Sequence, residues 1–220
     1  MKSIAIDGPA GAGKSTIAKL VAKELGFIYV DTGAMYRAMA LYLIRKGVDK
    51  SDTKQIEEAC DHADISISHV DGIQHVFLMD EIVDGLLRTE EVGNMASASS
   101  ANPKVREKLV ALQQKLAEKE NVVMDGRDIG TVVLPDSRCK IYLTASSAVR
   151  ARRRYDELTE KGETCDIKKI EADIIERDKR DMTREHSPLQ QAEDAVLIDS
   201  SGMSIDEVKD EILKLAKERL

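Results

Sequence analysis

Tryptophan is absent from this 220-residue chain, and five tyrosines with two phenylalanines bring the aromatic share to only 3%. So few rings argue against a stacking platform for single-stranded nucleic acid. Cysteine is scarce too. Cys60, Cys139 and Cys165 stand far apart, form no Cys-x-x-Cys pair and are odd in number. That fits a reducing compartment better than a disulfide scaffold. His62, His69, His75 and His186 make no constellation with metal-ligand spacing. No apolar run reaches the roughly 18 residues of a transmembrane helix, and the opening MKSIAIDGPAGAGKST is too short in apolar residues for a signal peptide. No membrane partner is expected, and the cytoplasm is the expected location. Positive charge is in deficit, with 33 Lys and Arg against 40 Asp and Glu and a net charge of -7. That balance disfavours a nucleic-acid partner, although a local anion site remains compatible with it.

What is present describes a folded protein. Hydrophobic residues are 42% and charged residues 33%. At about 150 residues per domain the length suits one domain with an insert, or two small ones. Residues 3–7 (SIAID) read as a buried strand, the glycine-rich run 8–13 follows, and 15–25 have helical periodicity ended by Gly26. Residues 27–30 read as a second strand. Strand, glycine turn, helix, strand predicts an α/β fold with a parallel sheet flanked by helices. Helices are expected over 34–46, 52–63, 88–101 (interrupted or bounded by Gly93), 104–119 behind Pro103, 147–160, 167–185 and 204–219. Strands are expected over 122–125, 138–144 and 195–199. Residues 65–79 alternate around Asp71-Gly72, which predicts an antiparallel hairpin that breaks the βα rhythm. The expected organisation is therefore a core of 1–64 and 85–220 with an inserted antiparallel segment at 65–84. There is no internal repeat or low-complexity linker.

Residues 8–15, GPAGAGKS, match G-x-x-x-x-G-K-[ST] between a predicted strand and a predicted helix. Gly8, Gly11 and Gly13 allow a tight turn that brings backbone N–H groups to an anion. The helix start adds unpaired donors and a positive dipole end. Lys14 supplies a cation to the outer phosphates and Ser15 a hydroxyl to Mg²⁺. Gly8, Pro9, Ala10, Gly11, Ala12, Gly13, Lys14, Ser15 and Thr16 are thus the candidate ATP site. Asp7 just upstream is a candidate for orienting the loop. No Asn-Lys-x-Asp guanine signature is present, and the chain is short for a nucleic-acid motor, which leaves a small-molecule kinase ahead.

Beyond that loop, the chain carries DTGAMYR at 31–37, VRE at 105–107, MDGRDIGTVVLPD at 124–136, KIYLTAS at 140–146 and RDKRDMTR at 177–184. In these segments it resembles the bacterial cytidylate kinases, a family of nucleoside monophosphate kinases, over almost its whole length. The resemblance implies a P-loop core with a monophosphate-binding insert and a mobile helical lid, here at about 150–166. It implies ATP as donor with Mg²⁺, and CMP or dCMP as acceptor.

The candidate acceptor residues have physical readings beside that resemblance. Thr32 is either a hydrogen-bond donor to the ligand or the cap of its helix. Arg37 has the forked donors to grip a phosphate; Tyr36 is as readily packing as contact. Arg106 stands near a helix start, where dipole pairing would favour an acid instead. Ser97 matches a family serine near the cytosine. Asp128 could accept from the exocyclic amine of cytosine, which carries only donors, and so favour cytosine over uracil. Arg127 could bridge the two phosphates. Asp125 either reaches Mg²⁺ through water or holds its own loop. Arg177, Asp181 and Arg184 at i, i+4 and i+7 share one helix face, and the resemblance places them at the monophosphate. Arg150, Arg152, Arg153 and Arg154 form a basic run. Spacing does not decide which of them faces inward; Arg154 is selected, with Lys14 and Arg127, as catalytic. A monomer is expected. Two other readings remain: a kinase for another small acceptor, such as a different nucleoside monophosphate, and a nucleotide-dependent switch or regulator that binds RNA or protein.

Overall fold

The computed structural model describes residues 1–70 and 73–220, so the predicted Asp71-Gly72 turn lies outside the described residues. In chain order the strands are β1 (Ser3–Asp7), β2 (Ile28–Asp31), β3 (Ile65–Val70), β4 (Ile73–Leu78), β5 (Glu81–Ile82), β6 (Val122–Gly126), β7 (Cys139–Thr144) and β8 (Val196–Asp199). The α-helices are α1 (Lys14–Leu25), α2 (Thr32–Arg45), α3 (Thr53–His62), α4 (Glu90–Ser99), α5 (Pro103–Lys119), α6 (Ser147–Glu160), α7 (Ile167–Thr183) and α8 (Ile205–Arg219). The contacts divide the chain into two compact units, one of Met1 and Phe27–Val122, the other of Lys2–Gly26 and Val123–Leu220.

In the unit that holds both termini's elements, β6, β1, β7 and β8 lie side by side in that order. The β1–β7 and β7–β8 pairs are parallel, with Ile6 opposite Ile141 and Leu143 opposite Ile198. Ile4, Ala5 and Ile6 are all fully buried, as expected of a parallel strand covered on both faces. Helix α1 buries Ile17, Ala18, Val21 and Ala22, and Gly26 ends it by donating to the Ala22 and Lys23 carbonyls. It packs against α8, whose Ser204–Glu207 capping box closes its N-terminus. Helices α6 and α7 pack on each other.

In the other unit, β3, β4 and β5 form an antiparallel sheet, with Ile65 opposite Leu78 and His69 opposite Gln74. This is the sheet expected at 65–84, with one strand more than the alternation revealed: β5 is only two residues long. It packs on α2, and their shared core gathers Met35, Met39, Leu43, Ile56, Cys60, Ile65, Leu78 and Leu109. Cys60 and Cys139 are both buried; burial pushes both thiols up, Cys139 to about 11, so they stay protonated and inert.

Three boundaries differ from expectation for identifiable reasons. Helix α2 starts at Thr32, two residues early, because the Asp31 carboxylate accepts the Ala34 N–H at 3.0 Å. The cap is therefore Asp31, and Thr32 is the first helical residue. Helix α4 runs through Gly93 without interruption, and the missing Cβ makes room for Arg37, whose Nη1 would lie 3.4 Å from it. Helix α7 stops at Thr183; Arg184 is extended, with ψ 144°, and its Nε donates to the Ser187 carbonyl at 2.7 Å. Arg184 therefore does not reach its place by helical periodicity.

Candidate phosphoryl-transfer site

The turn between β1 and α1 is held open by backbone geometry that side chains would forbid. At Gly8, φ is +148° and a Cβ would overlap the Leu143 carbonyl. Gly11 and Gly13 are left-handed, at φ +76° and +87°. Gly13 occupies the N-cap of α1 and, having no side chain, makes no side-chain cap bond there. The N–H donors of the first turn are those an anion would use. Lys14 is 6% exposed, and its ammonium donates to the Pro9 carbonyl at 2.8 Å, so it folds back over its own loop. Ser15 Oγ donates to Asp125 Oδ2 at 2.9 Å, while Thr16 is exposed.

Asp7 does orient a loop, but not the glycine turn that follows it. Its two carboxylate oxygens accept the Ile129 N–H at 2.8 Å and the Gly130 N–H at 2.7 Å. Residues Ile129–Val133 form a single π turn, in which Leu134 donates to the Ile129 carbonyl. Asp7 thus fixes the segment just after Gly126-Arg127-Asp128, and a wide turn at such a place commonly marks function. Burial is the main cause of the rise of its carboxyl to about 6, and the two backbone bonds oppose that rise. An acid at a strand end was the visible signal; its partner, 122 positions away, was not.

Lys14 sits among charges of both signs. Burial first, then the Arg127 guanidinium, pushes its ammonium down to about 7, with Asp125 and Asp7 opposing and Arg177 reinforcing. Its ordinary value is 10.5, so between about pH 7 and 10.5 the folded state holds fewer protons than the unfolded. Stability of the free protein therefore gains from this group as pH rises through that window. A phosphate at Nζ favours the charged form, so nucleotide binding above pH 7 takes up a proton, and affinity weakens as pH rises. At pH 8 ATP is already fully ionised. Titration calorimetry there, in buffers of different ionisation enthalpy, should show proton uptake on ATP binding that Lys14→Met removes; equal heats for both proteins would contradict it.

Arg127, Asp128, Arg177, Asp181 and Arg184 lie in the same unit as the loop. Arg127 Nε donates to Asp181 Oδ2 at 2.8 Å, and Nη1 to its neighbour Gly126's carbonyl at 3.2 Å. Burial works to raise the Asp181 carboxyl, but Arg127, Arg177 and Arg184 together hold it below the usual carboxylate value. Asp181 thus feels the charge of all three guanidinium groups, Arg184 beyond the helix included, and is hydrogen-bonded to that of Arg127. Asp128 is 4% exposed, and its carbonyl accepts from Val132 and Val133.

The arginine run resolves by geometry. Arg150 points inward: Nη1 donates to the Ala10 carbonyl in the glycine turn at 2.9 Å, Nε to the Ala145 carbonyl and Nη2 to Asp178 at 2.6 Å. Arg153 donates to the Ser200 carbonyl at 2.8 Å, and its Nη1 would lie 3.9 Å from a Cβ on Gly13. Arg154 is not brought to the loop; it pairs with Glu157 at 2.8 Å on the surface, as Arg152 does with Asp156. Arg150 lies three residues from Arg153 and four from Arg154, and both spacings share a helix face. Periodicity alone could not separate them.

Thr32, Arg37, Ser97 and Arg106 lie in the other unit. Thr32 is buried at the start of α2, and Arg37 Nη1 donates to the Leu87 carbonyl at 3.1 Å. Arg106, in the first turn of α5, is 5% exposed. Its Nη1 donates to the Ser100 carbonyl at 3.1 Å, and its guanidinium lies 5.4 Å above the Tyr36 ring. Tyr36 is therefore a support for Arg106. Ser97 is half-buried on α4.

Comparison with known proteins shows the family of the chain. The family profile described as Cytidylate kinase matches residues 4–218. A cytidylate kinase of Caldicellulosiruptor bescii is 51% identical over 213 residues, covering 97% of this chain and 94% of that protein. One of Lactobacillus johnsonii is 47% identical over 219 residues, covering 100% and 95%. In fold alone, the chain is similar to an uncharacterized protein from Eubacterium ventriosum, with TM-score 0.53, 17% identity and 99% of each chain covered. A shikimate kinase from Bacteroides thetaiotaomicron aligns at TM-score 0.50 and 13% identity over 98% of each chain. The matched family covers nearly every residue, including the phosphate loop, Arg127 and Asp181, so the chain belongs to the cytidylate kinase family.

Proposed function

We propose that the chain transfers the γ-phosphoryl group of ATP to CMP, with dCMP as a second acceptor, giving ADP and CDP or dCDP. The observation that carries this reading is the buried Lys14 on a helix start whose N-cap is a glycine, under the charge of Arg127 and Arg177, in a chain of this family. A phosphate monoester has its second pKa near 6 and is already an anionic nucleophile at neutral pH. No general base is required, and the work is positioning and charge neutralisation. Gly8 to Thr16 hold the triphosphate. Lys14 and Arg127 take up negative charge on the transferring group, and Arg150 keeps the turn in place through the Ala10 carbonyl. Arg154, exposed here, is the lid arginine expected to reach the phosphates when nucleotide is bound.

For the acceptor, Thr32, Arg37, Ser97 and Arg106 on one unit and Arg127, Asp128, Arg177, Asp181 and Arg184 on the other are the proposed CMP contacts. Asp128 accepts from the cytosine amine. Magnesium, when bound with ATP, supplies charge neutralisation on the outer phosphates. The Ser15 hydroxyl and, through water, the Asp125 carboxylate would hold it: two oxygen donors 2.9 Å apart suit a hard cation that keeps most of its waters. The chain is proposed to act as a monomer on small molecules in the cytoplasm; no described helix is long and apolar enough to cross a membrane.

An acceptor panel with ATP tests this reading. CMP and dCMP should react well above UMP and AMP. Asp128→Asn, whose amide can donate to uracil, should narrow the CMP:UMP ratio by at least about tenfold, as expected for one base-edge pairing. Stronger transfer to AMP than to CMP would defeat the assignment.

A further inference from the structure

We infer that Gln74, seconded by its cross-strand neighbour His69, is a positioning residue for the CMP side of the site. Tyr29 and Asp31 are two apart on β2, so their main-chain groups point to the same side of that strand. That side is met by side chains of the β3–β4 hairpin. The Asp31 N–H donates to Gln74 Oε1 at 2.8 Å, and Gln74 Nε2 donates to the Asp31 carbonyl at 3.3 Å. The amide of Gln74 thus offers one acceptor and one donor, as the backbone of a neighbouring strand would. His69 Nε2 lies 2.9 Å from the Tyr29 carbonyl, so the tautomer with its proton on Nε2 is the one that donates. His69 and Gln74 are directly opposite in the hairpin register, so both reach β2 from one rung.

The clamped residue is the one that starts α2. Asp31 Oδ1 accepts the Ala34 N–H, and Arg88 Nη2 lies 3.7 Å from Oδ2. The hairpin also reaches α2 by a second route. Asp84 accepts from the Val76 N–H at 2.8 Å and meets the His75 ring, and three residues on, the Leu87 carbonyl receives Arg37. The hairpin is therefore linked to the helix start beside Thr32 and, through 84–87, to Arg37. Gln74 touches no proposed substrate atom; it acts through Asp31.

This inference rests on the proposed roles of Thr32 and Arg37, so the test carries a control for them. Gln74→Met keeps the length and removes both bonds. The expected result is a rise of about tenfold in KM for CMP, with KM for ATP and kcat within twofold of the unaltered chain. Amide hydrogen exchange at Asp31 should accelerate at least tenfold. Arg37→Met, run alongside, should also raise KM for CMP. If Arg37→Met raises it and Gln74→Met does not, the inference falls and the functional reading stands. If neither does, or the unaltered chain does not use CMP, both fall. A parallel loss in KM for ATP and kcat would mark a general structural role and equally overturn the inference. Should Gln74→Met fail to fold, Gln74→Glu, which keeps only the acceptor for the Asp31 N–H, is read by the same KM split.

Discussion

Replacing Lys14 by alanine should lower phosphoryl transfer from ATP to CMP by about 10³-fold, in kcat more than in KM for CMP, at the upper end of what loss of one preorganised donor costs an active site. The ammonium is buried, donates to the Pro9 carbonyl and stands among charges that depress it. A cation in that state gains most when negative charge develops beside it, because little water screens the interaction. Alanine leaves the glycine turn intact, since none of its unusual dihedral angles involves the lysine. Lys14→Arg should not restore activity, because a planar fork does not replace a compact ammonium folded over its own loop. Steady-state kinetics with saturating ATP and CMP measure both variants. Activity of the alanine variant within tenfold of the unaltered chain would refute the role.

Arg127→Met should cost a comparable factor in kcat/KM for CMP and should also lower the melting temperature. Arg127 binds Asp181 and the Gly126 carbonyl at once, and it is the largest favourable influence on the Asp181 carboxylate. Without it a carboxylate only 7% exposed loses its hydrogen-bonded partner. The sign of the pH effect follows. Asp181 now lies below its ordinary value, so its contribution to stability is present above pH 3.8 and is lost as pH falls through the lower, folded-state value. In the variant the folded-state carboxyl lies higher, so the two proteins differ most above both values, near neutral pH, and their thermal melts should converge as the buffer is acidified. Arg127→Lys keeps the charge but not the fork; it should recover the melt in part and the kinetics little. Full catalytic recovery with lysine would show that only charge is needed.

How far the residues alone announce this site depends on the range of the interaction. The phosphate loop is local: its glycines, lysine and serine are consecutive, and the flanking strand and helix follow from short-range pattern. The hairpin was visible as alternation, though not β5, since two residues show no period. Long-range pairs were out of reach. Nothing in the spacing tells that Asp7 would hold the N–H groups of Ile129 and Gly130, or that Asp31 and not Thr32 would cap α2. Arg150 and Arg154 are equivalent on a helical wheel; what distinguishes them is that Asp178 and the Ala10 carbonyl lie within reach of one only. Arg184 brings its charge to bear on Asp181 by the opposite accident. Periodicity places it on α7, but the helix stops before it and the chain beyond is held through Ser187.

The central claim is that one phosphoryl group passes directly from ATP to the phosphate of CMP, guided by Lys14 and the arginines. The most direct measurement follows γ-labelled ATP in the presence and absence of CMP. The account predicts that the label appears on the terminal phosphate of CDP, stoichiometric with ADP formed, and that little inorganic phosphate is released without CMP. Label released as inorganic phosphate at the same rate whether or not CMP is present, with none in CDP, would contradict it.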